Sequence, residues 1–201
     1  MEIILMHKDD LVAKLTFTDG GYFSKLDGFY NRDLMPPGTR VMDAMIEQRL
    51  KGWIENRCLP KERENYINLI SEANVNTKEQ LYFRNYGLSL NDCYWLRSIE
   101  SMNSNISWKD VNYFTNQYSN HVGKILTDKS YRSYMNDFNS PDITTPGLSM
   151  KMWEQDPITL KSSLIKFGTD KFDGEEVFIE NVVSVIADCI GADHDKYSLI
   201  E

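Results

Sequence analysis

The run Pro36-Pro37-Gly38 divides this chain into two hydrophobic rhythms. Two consecutive prolines remove two N–H donors and fix φ, so no strand ladder or helix interior can run through them. Before the break, EIILMHKD and LVAKLTFTD are short apolar runs of strand length, bent at Asp9-Asp10. A turn at Gly20-Gly21 leads into GYFSKLDGFYN, which predicts a third strand. After the break the spacing turns helical. Val41, Ala44, Met45, Gln48 and Ile54 recur near a helical period, with Thr39 as the expected cap, Trp53 packing nearby and an end near Arg57. Strands in one block and helices in another predict an α+β fold.

The helical rhythm continues. Pro60 is expected to open a helix over KERENYINLISEA, because proline loses nothing in a first turn. Thr77 and Gln80 have the spacing of a capping box for KEQLYFRNYG, which Gly87 stops. Ser89 and Asp92 can cap one short turn in GLSLNDCYWLRS, and Ser107 starts another short helix, SWKDVNYFTNQYS. Residues 39–120 are therefore expected to be mostly helical. Past Gly123 the character changes again. SPDITTPGL is turn-forming, and MKMWEQDPITLKSSLIKF predicts a hairpin with Gln155-Asp156-Pro157 at its tip. EEVFIENVVSVIADCI predicts a helix of about four turns closed by Gly191, and KYSLIE a last strand. The expected organisation is a small β-rich subdomain over 1–38, a helical region over 39–122, and a third region over 123–201.

Composition removes several function classes. The formal net charge is −8, which argues against a broad nucleic-acid surface. Cys58, Cys93 and Cys189 are far apart and form no CxxC pair, and His7, His121 and His194 are scattered, so no metal site is expected. Reduced thiols fit a cytoplasmic protein. MEIILMHKDD has no basic start and no long apolar run, so no signal peptide is expected, and no stretch approaches the roughly 20 apolar residues of a membrane span. The histidines have no nucleophile at a recognisable spacing. The aromatic segments around Tyr94 and Trp95, and around Trp108, Tyr113 and Phe114, have acidic or neutral neighbours and are expected to pack in the core rather than stack on bases.

One stretch carries chemistry. In SSLIKFGTDKFDGEEVFIENVVSVIAD a short strand presents Lys166, and the helix that follows has a wide apolar arc. At 100° per residue the arc includes Phe178, Ile179, Val182, Val183, Val185, Ile186, Cys189 and Ile190, and Glu176 and Glu180 flank its edge. Two readings stand. On the first, the glutamates are solvated charges at the rim of a core helix, and Lys166 is an edge-strand lysine that discourages aggregation. Alternatively, Lys166 lies near the apolar face beside Leu164 and needs an anionic partner, which a phosphate and a helix carboxylate would supply. SPDITTPGL can likewise be a plain loop, or can fold over phosphates with Ser140, Thr144 and Thr145.

Several motifs occur in one order along the chain: LMHKD, NRDLMPPGT, WIENRCLPKERENY, LSLNDCYWLRS, WKDVNYFTNQYS, SPDITTPGLSMKMW, LIKFG and EEVFIENVVS. Their order resembles that of HipA-like serine/threonine kinases of the Firmicutes type, most distinctively in LSLNDCYW and WKDVNYF. The resemblance runs from near the first residue to the last. It implies the N-terminal portion of a two-lobed kinase, from a family with toxins of toxin–antitoxin pairs that phosphorylate translation components. By matching position, SPDITTPGL with Ser140, Thr144, Thr145 and Gly147 would be the phosphate-covering loop. Lys166 would be the ATP-contacting lysine and Glu180 the helix glutamate that pairs with it, with Glu176 as the fallback. Ile179 departs from the small polar residue expected before that glutamate.

Phosphoryl transfer also needs a catalytic aspartate, an asparagine and a second aspartate for Mg²⁺. HKDD at 7–10 precedes the lysine strand, and HDKY at 194–197 has no asparagine after it, so no catalytic residue is assigned. The expectation is a partial kinase lobe with an incomplete, weak ATP site, inactive by itself, with Mg²⁺ only where a second lobe is supplied. The partner would be a C-terminal kinase lobe in trans, or an antitoxin or regulator protein. The competing expectation is a non-enzymatic docking protein acting on a partner kinase or toxin–antitoxin component.

Overall fold

The computed structural model describes residues 1–40, 42–99, 106–132, 137–168 and 174–199. Val41, the polar loop 169–173 and the last two residues of KYSLIE lie outside the described residues. The fold is α+β, with two antiparallel sheets and six α-helices among the described residues.

Strands β1 (Glu2–His7), β2 (Asp10–Phe17) and β3 (Phe23–Phe29) form a meander, as the alternation predicts. The first turn is Lys8-Asp9, with Lys8 at φ 52°. The sheet order is β3-β2-β1-β4, and the fourth strand is Tyr94–Ser98. This corrects the mostly helical expectation for 39–120, since β4 pairs antiparallel with β1 from Ile3↔Ser98 to His7↔Tyr94. Physically, β1 carries apolar side chains on both faces, and its second edge holds unpaired amides that YWLRS satisfies. Asp92 prepares the entry by accepting from the Tyr94 N–H at 3.0 Å.

Both faces of this sheet are covered. Ile3, Leu5, Val12, Leu15 and Phe17 pack with Ile46, Leu50 and Ile54 of helix α1 (Asp43–Arg57). Ile4 and Met6 face the other way, onto Leu88, Trp95 and Tyr113. Trp95 is 1% exposed, which agrees with its expected core role, and its indole N–H donates to Lys8 O at 2.7 Å. Thr39 does not cap α1: its hydroxyl donates to Pro36 O, closing the proline turn, and the helix starts four residues later. Arg57, at the far end of α1, is buried and pairs with Asp92, donates to Gly87 O and Tyr94 O, and lies over the Trp53 ring.

A second core joins helices α2 (Tyr66–Glu72), α3 (Lys78–Arg84) and α5 (His121–Thr127) through Leu69, Leu81, Val122, Ile125 and Leu126. Thr77 caps α3 as expected, accepting from Gln80 N. Ser107 and Asp110 form a capping box for α4 (Trp108–Val111), which is a single turn. Helix α2 starts at Tyr66, not at Pro60, because Lys61–Asn65 forms turns held by Arg63 N to Pro60 O. Helix α5 crosses the boundary expected between 122 and 123 and packs on the hairpin.

The hairpin is β5 (Lys151–Gln155) with β6 (Ser162–Lys166). Its loop is Asp156–Lys161, so the tip lies beyond the expected Gln155-Asp156-Pro157; Gln155 pairs with Ser162. Asp156 organises the loop by accepting from the Ile158 and Thr159 N–H groups. Helix α6 (Glu175–Ile190) ends at Gly191, at φ 69°, as predicted. Its orientation is the main departure from a core helix. Ser184 is its one buried residue, while Phe178, Ile179, Val182, Val183, Ile186 and Ile190 are 54–74% exposed. Residues 192–199 carry no strand, so KYSLIE does not extend the sheet within the described part.

Candidate functional site

The site is built where β6, α6 and the tail meet. The Lys166 ammonium donates to Glu180 Oε2 at 2.7 Å and to the Tyr197 hydroxyl at 3.2 Å, and it lies 5.0 Å from the centre of the Tyr197 ring. The strand ends at Lys166, so its long stem can reach α6. Glu180 is on the side of α6 that faces the hairpin, opposite the apolar arc. Of the two glutamates that the resemblance offers for Lys166, Glu180 is the one that meets it. Burial lowers the lysine pKa, but the hydrogen bonds and charge of Glu180 and Tyr197 outweigh it and hold the ammonium above its usual range.

Lys151 is the site residue that sequence reasoning missed. Antiparallel pairing sets it directly opposite Lys166. Cross-strand partners share one face, so the two lysines stand abreast. Burial, reinforced by the positive charges of Arg63 and Lys166, lowers its pKa. Among the described residues no carboxylate forms an ion pair with Lys151. A tip at Gln155-Asp156-Pro157 does not give this pairing, because the partner of Lys166 is fixed only once the loop is centred between Ile158 and Thr159.

Gly147 sits above Lys151. It has φ 87°, a left-handed conformation that favours glycine, and a Cβ there would come 2.8 Å from the mobile end of Lys151, Nζ. Arg63 clamps this loop by donating to Thr145 O, Gly147 O and Lys151 O at 3.4, 3.2 and 2.6 Å. Ser140, Thr144 and Thr145 do not join the surface near the lysines. They are at most 5% exposed, and their hydroxyls are used internally. Thr144 donates to Leu88 O, Thr145 donates to Pro141 O and accepts from the Trp153 indole, and Ser140 donates to Asp142. A buried 3-10 turn, Pro141–Thr144, has to satisfy its polar groups from within. Asp142 is the hub of this turn. It accepts from the Trp153 N–H at 3.0 Å, and burial raises its pKa to about 6.

Other clusters are structural. Ser184 Oγ and His194 Nε2 are 3.0 Å apart, but the serine is 4% exposed and also accepts from Tyr197 N. The His194 Nδ1 faces Ala192 O, so this pair pins the tail to α6. That pinning is what delivers Tyr197 to Lys166. A cleft of about 440 Å³ lined by Glu64, Thr127, Lys129, Leu148 and Met150 opens toward α5. Thr127 bonds Met152 there, so the cleft lies on the hairpin face opposite the lysines, and its Lys129–Glu64 charges neutralise each other at 2.7 Å. Among the described residues there is no group of metal-ligating side chains and no helix long and apolar enough to cross a membrane. Compared with protein-family models, curated proteins and solved structures, the chain matches none.

Proposed function

We propose that this chain is the N-terminal lobe of a HipA-like, toxin–antitoxin-type protein kinase, holding part of an ATP-phosphate site. One observation carries the reading: Lys166 is held by Glu180 at 2.7 Å while Lys151 stands beside it without a carboxylate of its own among the described residues. One carboxylate against two ammonium groups leaves the face with a positive excess, and a half-buried cation of this kind is stabilised by an anion. The glutamate fixes the geometry of one lysine, as a kinase-type Lys–Glu pair does. Such a pair positions phosphates and transfers nothing. On this reading the catalytic aspartate and the Mg²⁺ ligands come from a C-terminal lobe in trans, and the protein works in the cytoplasm, in keeping with its three free cysteines.

ATP binding by these 201 residues is expected to be weak, because a kinase-type site takes its walls from two lobes. Thermal unfolding with millimolar ATP tests it. A rise in Tm for the natural chain that Lys166→Ala abolishes supports the site. The absence of any shift in the natural chain removes the nucleotide reading. Incubation with radiolabelled ATP should show no autophosphorylation, and robust labelling would overturn the assignment of catalysis to a second lobe.

A second reading, a docking protein acting on a partner kinase or toxin–antitoxin component, is favoured by the outward apolar face of α6. No nucleotide effect, together with direct binding to such a component, would select it.

A further inference from the structure

Helix α6 is inside out. At 100° per residue, Phe178, Ile179, Val182, Val183, Ile186 and Ile190 fall within an arc of roughly 140°, and each is more than half exposed. The opposite side holds Glu180 and the buried Ser184, which face the hairpin and the tail. At on the order of 100 Å² for each half-exposed side chain, the face leaves about 600 Å² of apolar surface in water. That is the upper end of what the largest patch on a monomer reaches. It also exceeds the roughly 450–520 Å² apolar share of the about 800 Å² that each partner contributes to a standard interface.

The charges on α6 decide between occupants. A partner chosen by charge complementarity needs unpaired acids to read. Here Glu180 is paired with Lys166, and Asp188 with Lys196. Glu175 stands at the N-terminal end of the arc, where it stays in water at the rim. Neither Glu180 nor Asp188 lies on the arc, which between Phe178 and Ile190 holds no charged side chain, so the face offers shape and apolar area alone and tolerates its own copy. We infer that α6 is a homodimer interface in which two copies pack their apolar arcs antiparallel about a two-fold axis near the level of Ser184. This register sets Phe178 opposite Ile190 and Val182 opposite Ile186, so every large apolar side chain meets another, as an isologous interface requires. Antiparallel helices also oppose their macrodipoles. The occupant is thus a second copy rather than the heterologous component of the docking reading, and the inference does not rest on the nucleotide reading.

Light scattering coupled to size exclusion tests it on the full chain. At tens of micromolar the natural protein should have twice the monomer mass. Ile186→Lys, at a position 54% exposed, should weaken association by roughly tenfold or more with an unchanged circular dichroism spectrum. Raising salt from about 0.05 to 0.5 M should strengthen the dimer, because two chains of charge −8 repel each other less. A monomer at 100 µM, roughly a thousandfold above a tight Kd, or a dimer indifferent to Ile186→Lys, would overturn the proposal. The register is tested by Ile179→Cys, which should form a disulfide with the exposed Cys189 of the partner subunit under mild oxidation. A mass-mapped link from position 179 to position 179 would overturn the antiparallel arrangement.

Discussion

Helices α1 and α6 are of nearly equal length, 15 and 16 residues, yet they end up reversed in their relation to water. The sequence of α1 is polar, DAMIEQRLKGWIENR, with a thin apolar stripe, and that stripe is buried: Ile46, Leu50 and Ile54 are at most 4% exposed. The sequence of α6 has the wider apolar arc, and that arc faces outward. The difference lies in what each helix finds beside it. Three apolar strands offer α1 a whole sheet face. The two-strand hairpin offers α6 a lysine and a short edge, so that contact forms through Glu180, while Ser184 meets the tail. Strength of apolar pattern says that a face will be buried against something; it does not say that the covering surface is in the same chain.

Mutations measure this contrast, beginning with the largest effect. Leu50→Ala, at a fully buried position of α1, should cost about 2–5 kcal/mol in chemical denaturation. A cost as small as that of an exposed residue would dissolve the comparison.

Asp142→Asn probes the turn that sits between the two regions. The folded-state pKa of Asp142, about 6, lies above the ordinary aspartate value of 3.8. The associated stability is therefore fully present below pH 3.8 and is lost as pH rises through about 6, by about 3 kcal/mol. The amide keeps an acceptor for the Trp153 N–H and has no charge to bury. Relative to the natural protein, Asp142→Asn should gain stability as pH rises from about 4 to 7, measured by urea denaturation at each pH. Parallel pH profiles for the two proteins would show that the carboxylate is not buried as described.

Lys166→Ala should change stability by less than about 1 kcal/mol, because the side chains of the pair are 28% and 38% exposed. Its effect belongs to ligand binding, where the ATP-dependent rise in Tm should vanish. A large loss of stability would mean that the pair holds α6 on the hairpin more firmly than its solvent exposure suggests. The smallest effect sharpens the contrast most. Val182→Ala, measured at concentrations too low for association, should stay within about 0.5 kcal/mol. A cost like that of Leu50→Ala would reveal a cover over the α6 face even in the monomer.

Local patterns were legible wherever one residue type has one strong physical use. The alternation in β1 to β3, the Thr77 and Ser107 caps and the Gly191 stop follow from spacing and propensity, whereas the Lys166–Glu180 pair was implied only by the family resemblance. Strand β4 was not legible, because YWLRS is strand-like only once the open edge of β1 is available to it. Helix α5 was hidden by the Gly123 within it. That glycine is needed because a Cβ there would meet Asp142 Oδ2 and Met152 Cβ, each at 2.7 Å. The hydroxyls of Ser140, Thr144 and Thr145 suggested a phosphate loop by composition, yet a buried turn consumes them. Lys151 needed the hairpin register, which shifts when the tip moves by two residues.

By itself the sequence determined the α+β class, the strand and helix periods, and the stops at proline and glycine. These are consequences of backbone geometry and side-chain spacing, which act over a few residues. Tertiary structure alone decided that Lys151 stands beside Lys166, that the tail brings Tyr197 to the same ammonium, and that the apolar arc of α6 points to water. Each of those depends on which surface meets which, and that is set by the edges and faces left over once the stronger sheet core has formed.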